Sequence, residues 1–281
     1  MQIHQLRNAT AVLSIGDRRV LVDPMLSEAG ALPGFKLFGG GRRRNPLVSL
    51  PSSADSALAD VTDVLITHEH PDHLDAAGLE WIRSRDLPVW APPVDVANLR
   101  RKGLDVRALE DGALGLSVEV VRSAHARGLL GFLLGPVHGV YLAHPDEPSL
   151  LLTGDSVLTD SVLEAVERLA PDVIVAPAGA ADFGIGGRIL FSVDDLVLLA
   201  RRFDGHLVLN HLEALDHCPT TRSELRARFA SEGLLDRVSI PEDGEVVRVA
   251  RSSVGAHAVP RYLQESAPRF QKWVTAPFAG T

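Results

Sequence analysis

Cysteine is nearly absent: Cys218 is the only one among 281 residues. A disulfide framework within the chain is therefore excluded. Long apolar runs are missing too. No stretch approaches the roughly 20 consecutive apolar residues that span a membrane as a helix. The opening residues, Met1-Gln2-Ile3-His4-Gln5-Leu6, carry neither the basic nor the apolar segment of a secretory signal. A soluble, cytoplasmic protein is the expectation. Basic charge is in deficit, with 28 Lys and Arg against 36 Asp and Glu and a formal net charge of −8. A surface that holds a nucleic-acid backbone needs a basic patch or excess. Only Arg42-Arg43-Arg44, among glycines, and Arg100-Arg101-Lys102, at the end of an expected helix, come near one. Both runs read first as solvated charge. There is no Gly-x-Ser-x-Gly elbow, no solenoid-length repeat and no low-complexity tract.

Core material is present. Hydrophobic residues make up 46% of the chain, and the length suits one large two-layered domain or at most two small ones. Short β-rich runs at 3–6, 11–15 and 19–22 open the chain, with a hairpin signal at Gly16-Asp17. A long Gly- and Pro-rich stretch follows, from Asp23-Pro24 to Ser53. A structureless loop of that length in a compact domain usually serves as a lid or a substrate loop. Beyond it, strands are expected at 61–66, 88–91, 116–121, 140–142, 150–152, 173–176 and 206–209. Helices are expected at 76–83, 94–101, 162–169, 193–201 and 220–229, the last capped by Thr220 or Thr221. Two short strands close the pattern near Val238 and Val246. Each half offers a sheet with helices for one face, so the expected fold is α/β: an αββα sandwich of two mixed β-sheets with helices on the outer faces. Residues 1–250 are assigned to this domain, and the tail 251–281 is left unassigned.

Chemistry concentrates in Thr67-His68-Glu69-His70-Pro71-Asp72-His73, where three of eleven histidines fall within six residues. The run follows an apolar strand, whose end can turn several side chains toward one point. Imidazole nitrogen and carboxylate oxygen together suit Zn, Mn or Fe. Four donors on one loop leave no open position at a single tetrahedral ion, so the spacing suits two ions. His68 and His70 would take one, Asp72 and His73 the other. Further ligands must come from later strand ends. His125, Asp155 and His211 stand at such places, and His217 competes with His211.

These residues, in this order, resemble the metallo-β-lactamase fold superfamily over roughly residues 1–249. Further features are Val22-Asp23-Pro24, Arg44-Asn45-Pro46-Leu47, Thr153-Gly154-Asp155-Ser156 and Asn210-His211-Leu212-Glu213-Ala214 through His217-Cys218. Within the superfamily the chain looks most like the lactonase-like branch, which includes L-ascorbate-6-phosphate lactonase and N-acyl-phosphatidylethanolamine phospholipase D. The resemblance implies two divalent ions, Zn or Mn, with Fe also compatible. His68, His70 and His125 would hold one, and Asp72, His73 and His211 the other, with Asp155 bridging. Asp63 would orient a ligand imidazole, with Asp75 in a similar supporting part. Glu213 would support the site or face the substrate, as would His138. Arg42, Arg43 or Arg44, with Arg44 placed in the motif, would grip an anionic group. Cys218 is read as a small buried residue.

The implied activity is metal-dependent hydrolysis of an ester, lactone or phosphoester in a small, anionic molecule. A hydroxide activated by the ions would attack, and Asp72 and Asp155 would carry its proton. No nucleic-acid partner is expected, and a homo-oligomer is compatible with the sequence. The rivals are a nuclease or nucleotide phosphodiesterase on the same fold, a non-catalytic metal-binding scaffold, and a redox di-iron protein, whose relatives carry Glu where this chain has His70.

Overall fold

The structure is a computed structural model that describes residues 1–38, 40–126, 128–184 and 187–251. The first sheet begins with the hairpin strands Gln2–Arg7 (β1), Thr10–Ile15 (β2) and Arg18–Val22 (β3). Asp63–Leu65 (β4), Val89–Ala91 (β5) and Val106–Ala108 (β6) add in parallel beside β3. The second sheet holds Ser117–Ala124 (β7), Pro136–Ala143 (β8), Leu150–Leu152 (β9), Val173–Pro177 (β10), His206–Asn210 (β11) and Val238–Ser239 (β12). Val246–Arg248 (β13) returns to pair with β1, so the sheet orders are β13-β1-β2-β3-β4-β5-β6 and β12-β11-β10-β9-β8-β7.

Alternation of side chains along each strand sorts the core into three layers. Val20 and Val22 of β3 pack between the sheets with Leu150 and Leu152 of β9 and Val173 and Val175 of β10. The intervening Leu21 faces outward, toward Leu58 of helix Ala54–Ala59 (α1), Ile82 of Ala76–Arg85 (α2) and Leu99 of Val96–Arg101 (α3). On the other sheet, Leu151 and Ile174 face Val162 of Asp160–Leu169 (α5) and Leu196 of Val193–Arg202 (α6), together with Phe229 of Arg222–Ser231 (α7). Strands buried on both faces read as continuous apolar runs, as 173–176 does. The result is the expected sandwich of two mixed sheets between helices.

The helices stop and start where local chemistry directs. α6 opens on a reciprocal capping box between Ser192 and Asp195, and α7 on one between Thr221 and Glu224. Thr221, not Thr220, is thus the cap. A short helix, Gly128–Leu134 (α4), joins β7 to β8 and was not foreseen, nor were α1 and β6. Residues 1–251 form one compact unit. The tail expected over 251–281 lies outside the described residues apart from Arg251.

β4, β7, β9 and β11 all deliver their chain ends to one edge of the sandwich. β9 and β11 run parallel through β10, and β7 shares their direction through the antiparallel β8. The loops leaving these four strands carry the candidate metal-binding side chains.

Candidate metal centre

The loop after β4 is held from behind by Asp23. Parallel pairing of Val22 with Leu65 sets the residue after β3 beside the start of the loop. Asp23 sits there with a left-handed backbone, φ 46°. Its carboxylate accepts Thr67 N at 2.7 Å, Thr67 Oγ1 at 2.7 Å and His73 Nδ1 at 2.8 Å. Asn8 Nδ2 donates to Asp72 O at 2.9 Å, and Asn8 O accepts His211 N at 2.9 Å. One loop residue thereby ties two of the contributing segments together.

Seven residues converge as two groups: His68, His70 and His125, and Asp72, His73, Asp155 and His211. Within each group, one potential donor atom per residue lies within 4.8 Å of the others. All are buried except His70, which is half-buried. Asp155 Oδ2 lies between the groups. It is 3.2 Å from His73 Nε2, 3.4 Å from His211 Nε2 and 3.7 Å from His125 Nε2. His211 Nε2 is also 3.5 Å from Asp72 Oδ2.

Every imidazole in the two groups has its outer nitrogen occupied. Thr67 Oγ1 already donates to Asp23, so His68 Nδ1 donates to it, at 3.0 Å. His70 Nε2 donates to Leu134 O at 3.3 Å, and His125 Nδ1 to Ile189 O at 2.9 Å. His73 Nδ1 is held by Asp23, and His211 Nδ1 lies 3.5 Å from Cys218 Sγ. In its neutral form the other nitrogen of each ring would point its lone pair inward, the arrangement by which metal-binding histidines are fixed in tautomer and direction. Nε2 of His68, His73 and His211 is buried without a hydrogen-bond partner. Three orphaned nitrogens converging beside two carboxylates fit a cation, since buried polar atoms are otherwise paired.

The electrostatics follow. Burial, then His73, pushes His68 well below the usual imidazole range. Burial likewise lowers His70, with Asp72 opposing. Burial acts against charge on His73, yet Asp155 and Asp23 outweigh it and push its pKa up to about 10. His211 is also raised, against burial, chiefly by Asp155. Burial acts against charge on Asp72 and Asp155 as well. His211 and His73 overcome it, and both carboxyls fall below the usual carboxylate range. The second group therefore holds protons between carboxylates, where a divalent cation would supply the same positive charge.

The other expected residues sit elsewhere. Asp63 makes no contact with a histidine. Its carboxylate accepts Thr62 Oγ1 at 2.8 Å, Trp90 Nε1 at 2.9 Å and Arg18 Nη1 at 3.2 Å. The carboxylate that reaches a clustered imidazole is Asp23, in Val22-Asp23-Pro24. Asp75 caps α2 and accepts the backbone N–H groups of Leu26 and Ser27. Glu213 binds Arg222 Nη1 at 2.6 Å, pinning the segment after β11 to α7. Arg44 donates to the carbonyls of Gly30 and Ala31. His138 is half-buried on β8, opposite Arg122. His217 stands outside both groups.

A cleft of about 280 Å³ opens beside His70, Asp72 and His125. The Gly- and Pro-rich stretch forms one wall with Gly34, Phe35 and Leu37, and Leu134, Phe183, Ile189 and His217 form the rest. Asp216 clips that wall in place. Its carboxylate accepts Phe35 N, Lys36 N, Arg43 N and Asn45 Nδ2, and its own N–H donates to Asn45 Oδ1. No lysine or arginine lines the cleft among the described residues.

Residues 18–212 match the family model of the beta-lactamase superfamily domain. The chain is 30% identical to the UPF0173 protein YddR of Bacillus subtilis (strain 168), over 87% of this chain and 98% of that one. The chain belongs to the metallo-β-lactamase superfamily, among the UPF0173 metal-dependent hydrolases. Its fold matches a solved isothiocyanate hydrolase from Delia radicum gut bacteria at 31% identity and TM-score 0.82, covering 89% of this chain and 100% of that one. A possible metal-dependent hydrolase from Veillonella parvula DSM 2008 is similar at 30% identity and TM-score 0.82, covering 89% and 99%. The protein is thus a metal-dependent hydrolase whose clustered His and Asp residues could hold metal. No helix among the described residues is long and apolar enough to cross a membrane.

Proposed function

We propose that this hydrolase acts on a small, neutral, apolar carbon electrophile, with an isothiocyanate as the leading class. The largely apolar wall of the cleft beside the metal-binding cluster carries this reading: Phe35, Leu37, Leu134, Phe183 and Ile189 line it, with no lysine or arginine among the described lining residues. Such a wall favours an apolar substituent. Grip on a phosphate or carboxylate calls for Arg or Lys, and Arg44 is tied to loop carbonyls. On this reading the substrate is neutral, in place of the anionic one expected from sequence. The similar isothiocyanate hydrolase adds support.

His68, His70 and His125 would hold one divalent ion and Asp72, His73 and His211 a second, with Asp155 shared; Zn or Mn suits this donor set, and Fe is compatible. When bound, the ions supply Lewis acidity, bringing the pKa of a water toward neutrality and polarising the electrophile. Phe35 and Phe183 hold the apolar substituent and exclude bulk water. The Asp72 carboxylate borders the cleft. It takes the proton of the attacking water as the C–O bond forms and returns it to the nitrogen of the N=C=S group. The resulting thiocarbamic acid, RNH–C(=S)–OH, then gives its remaining O–H proton to the nitrogen as the C–N bond breaks, releasing amine and carbonyl sulfide.

A lactone is the second reading. It presents a carbon electrophile to the same apolar wall and agrees with the lactonase-like motifs. Metal-loaded full-length protein tested on benzyl isothiocyanate, an alkyl-substituted lactone and bis(p-nitrophenyl) phosphate decides among them. The kcat/KM for benzyl isothiocyanate should exceed that for the phosphodiester by about 100-fold or more. Faster turnover of the phosphodiester would overturn the proposal.

A further inference from the structure

Among the described histidines that border the cleft or the two groups, His217 alone has no side-chain hydrogen bond. The imidazoles of His68, His70, His73, His125 and His211 each have one nitrogen held by a neighbour. His217 is 4% exposed, and its Nδ1 is buried without a partner. Asp216 Oδ1 lies 4.0 Å from Nδ1, beyond hydrogen-bond reach, and already receives Phe35 N and Asn45 Nδ2. The ring is nonetheless fixed. It stacks on Phe183 at 5.5 Å and 13°, and meets the edge of Phe35 at 5.5 Å and 82°. Its backbone carbonyl accepts Asp182 N at 2.9 Å. The ring lines the cleft that His70, Asp72 and His125 also border, yet it belongs to neither metal-binding group.

A buried polar side chain without a partner is rare in a folded interior, and clefts carry such groups to orient ligands. Nδ1 is shut in beside Asp216, which leaves Nε2 as the ring nitrogen for the cleft. We propose that His217 Nε2 hydrogen-bonds the polar heteroatom of the substrate, fixing the electrophilic carbon toward the metal-binding cluster while Phe35 and Phe183 hold the apolar substituent. This deepens the neutral-electrophile reading and rests on it. Burial holds the ring below its ordinary pKa, so the neutral imidazole offers one donor and one acceptor. It can therefore meet either the nitrogen of an electrophile or the N–H of its hydrated form. A purely apolar residue in the same place would bind the substituent and leave the reacting group free to turn.

The test uses metal-loaded full-length protein and N-benzylthiourea, a neutral, unreactive analogue carrying the same apolar group and an N–C=S unit. Calorimetry should show binding by the wild type and a loss of about tenfold or more in His217→Phe, the range for one hydrogen bond left unmade in a dry site. His217→Gln should recover most of the affinity, and both variants should keep the wild-type metal content. Should His217→Phe fail to fold, His217→Leu serves the same comparison. Affinity within twofold of wild type in the apolar variant would overturn the proposal. So would loss of metal from His217→Gln, which would make His217 a ligand, or absence of binding to the wild type. The neutral-electrophile reading fails separately, as faster turnover of the phosphodiester than of benzyl isothiocyanate by the wild type.

Discussion

The carboxylate of Asp23 accepts His73 Nδ1 at 2.8 Å and, with the same group, both the backbone and the hydroxyl of Thr67. One buried acid thus sets the direction of a ring and the start of the loop that carries it. Replacing Asp23 with Ala should lower metal affinity about 10- to 100-fold, the range for loss of a partner behind a ligand imidazole. Competition with a chromogenic chelator measures this directly. Unchanged affinity would place the orientation of His73 elsewhere.

Gly179 lies against the segment that presents His211. A Cβ there would sit 2.4 Å from His211 O and 2.9 Å from Cys218 Sγ. His211 is already held at φ 58°, in the left-handed region. Gly179→Ala should therefore displace His211 and its Cys218 contact, costing about 1–3 kcal/mol of stability and weakening the second ion more than the first. Stepwise metal titration of the variant shows which of the two is lost.

Metal loading should release protons. His73 is pushed up to about 10, and His211 is also raised. At pH 7 the metal-free chain holds a proton on each, and a cation must displace about two protons to bind there. Affinity should rise with pH through the neutral range. Calorimetry at pH 7 in buffers of different ionisation enthalpy should give a buffer-dependent heat, and equal heats would contradict this. Stability of the metal-free chain carries the opposite sign. The His73 contribution is full below its ordinary 6.5 and is lost as pH rises through about 10.

These relationships were unequally visible in the sequence. The density of His68, His70, Asp72 and His73 after an apolar strand pointed to a cluster that could hold metal, because that donor set has few other uses. Asp155 and His211 were findable as acids and imidazoles at strand ends. That the acid beside His73 is Asp23 rather than Asp63 depends on the direction of the strands. Asp63 opens β4, and at about 3.3 Å per residue the metal loop begins a full strand length away. Asp23 closes the neighbouring β3, a proximity that only parallel pairing creates. The cleft was illegible for the same reason. Phe35, Leu134, Phe183 and His217 come from four separate loops or termini, and no local pattern links them.

Asp95 provides a stability test away from the cluster. Burial, with Glu69 nearby, raises its carboxyl to about 6, and its Oδ2 is buried without a hydrogen-bond partner. A folded pKa above the unfolded value favours the protonated form. The contribution is present below the ordinary 3.8 and lost as pH rises through about 6. Asp95→Asn should therefore melt about 2 °C above the wild type at pH 8, after allowance for solvent screening of this partly exposed group. The gap should close at pH 4. A gap independent of pH would contradict the assignment.

Metal content, measured on full-length protein purified without chelator, tests the paired centre most directly. About two equivalents of divalent ion per chain are expected, because two donor groups stand side by side, with Asp155 of the second 3.7 Å from His125 of the first. Asp155→Ala should lose both. One equivalent or none in the wild type, or full metal content in Asp155→Ala, would contradict the two-ion site.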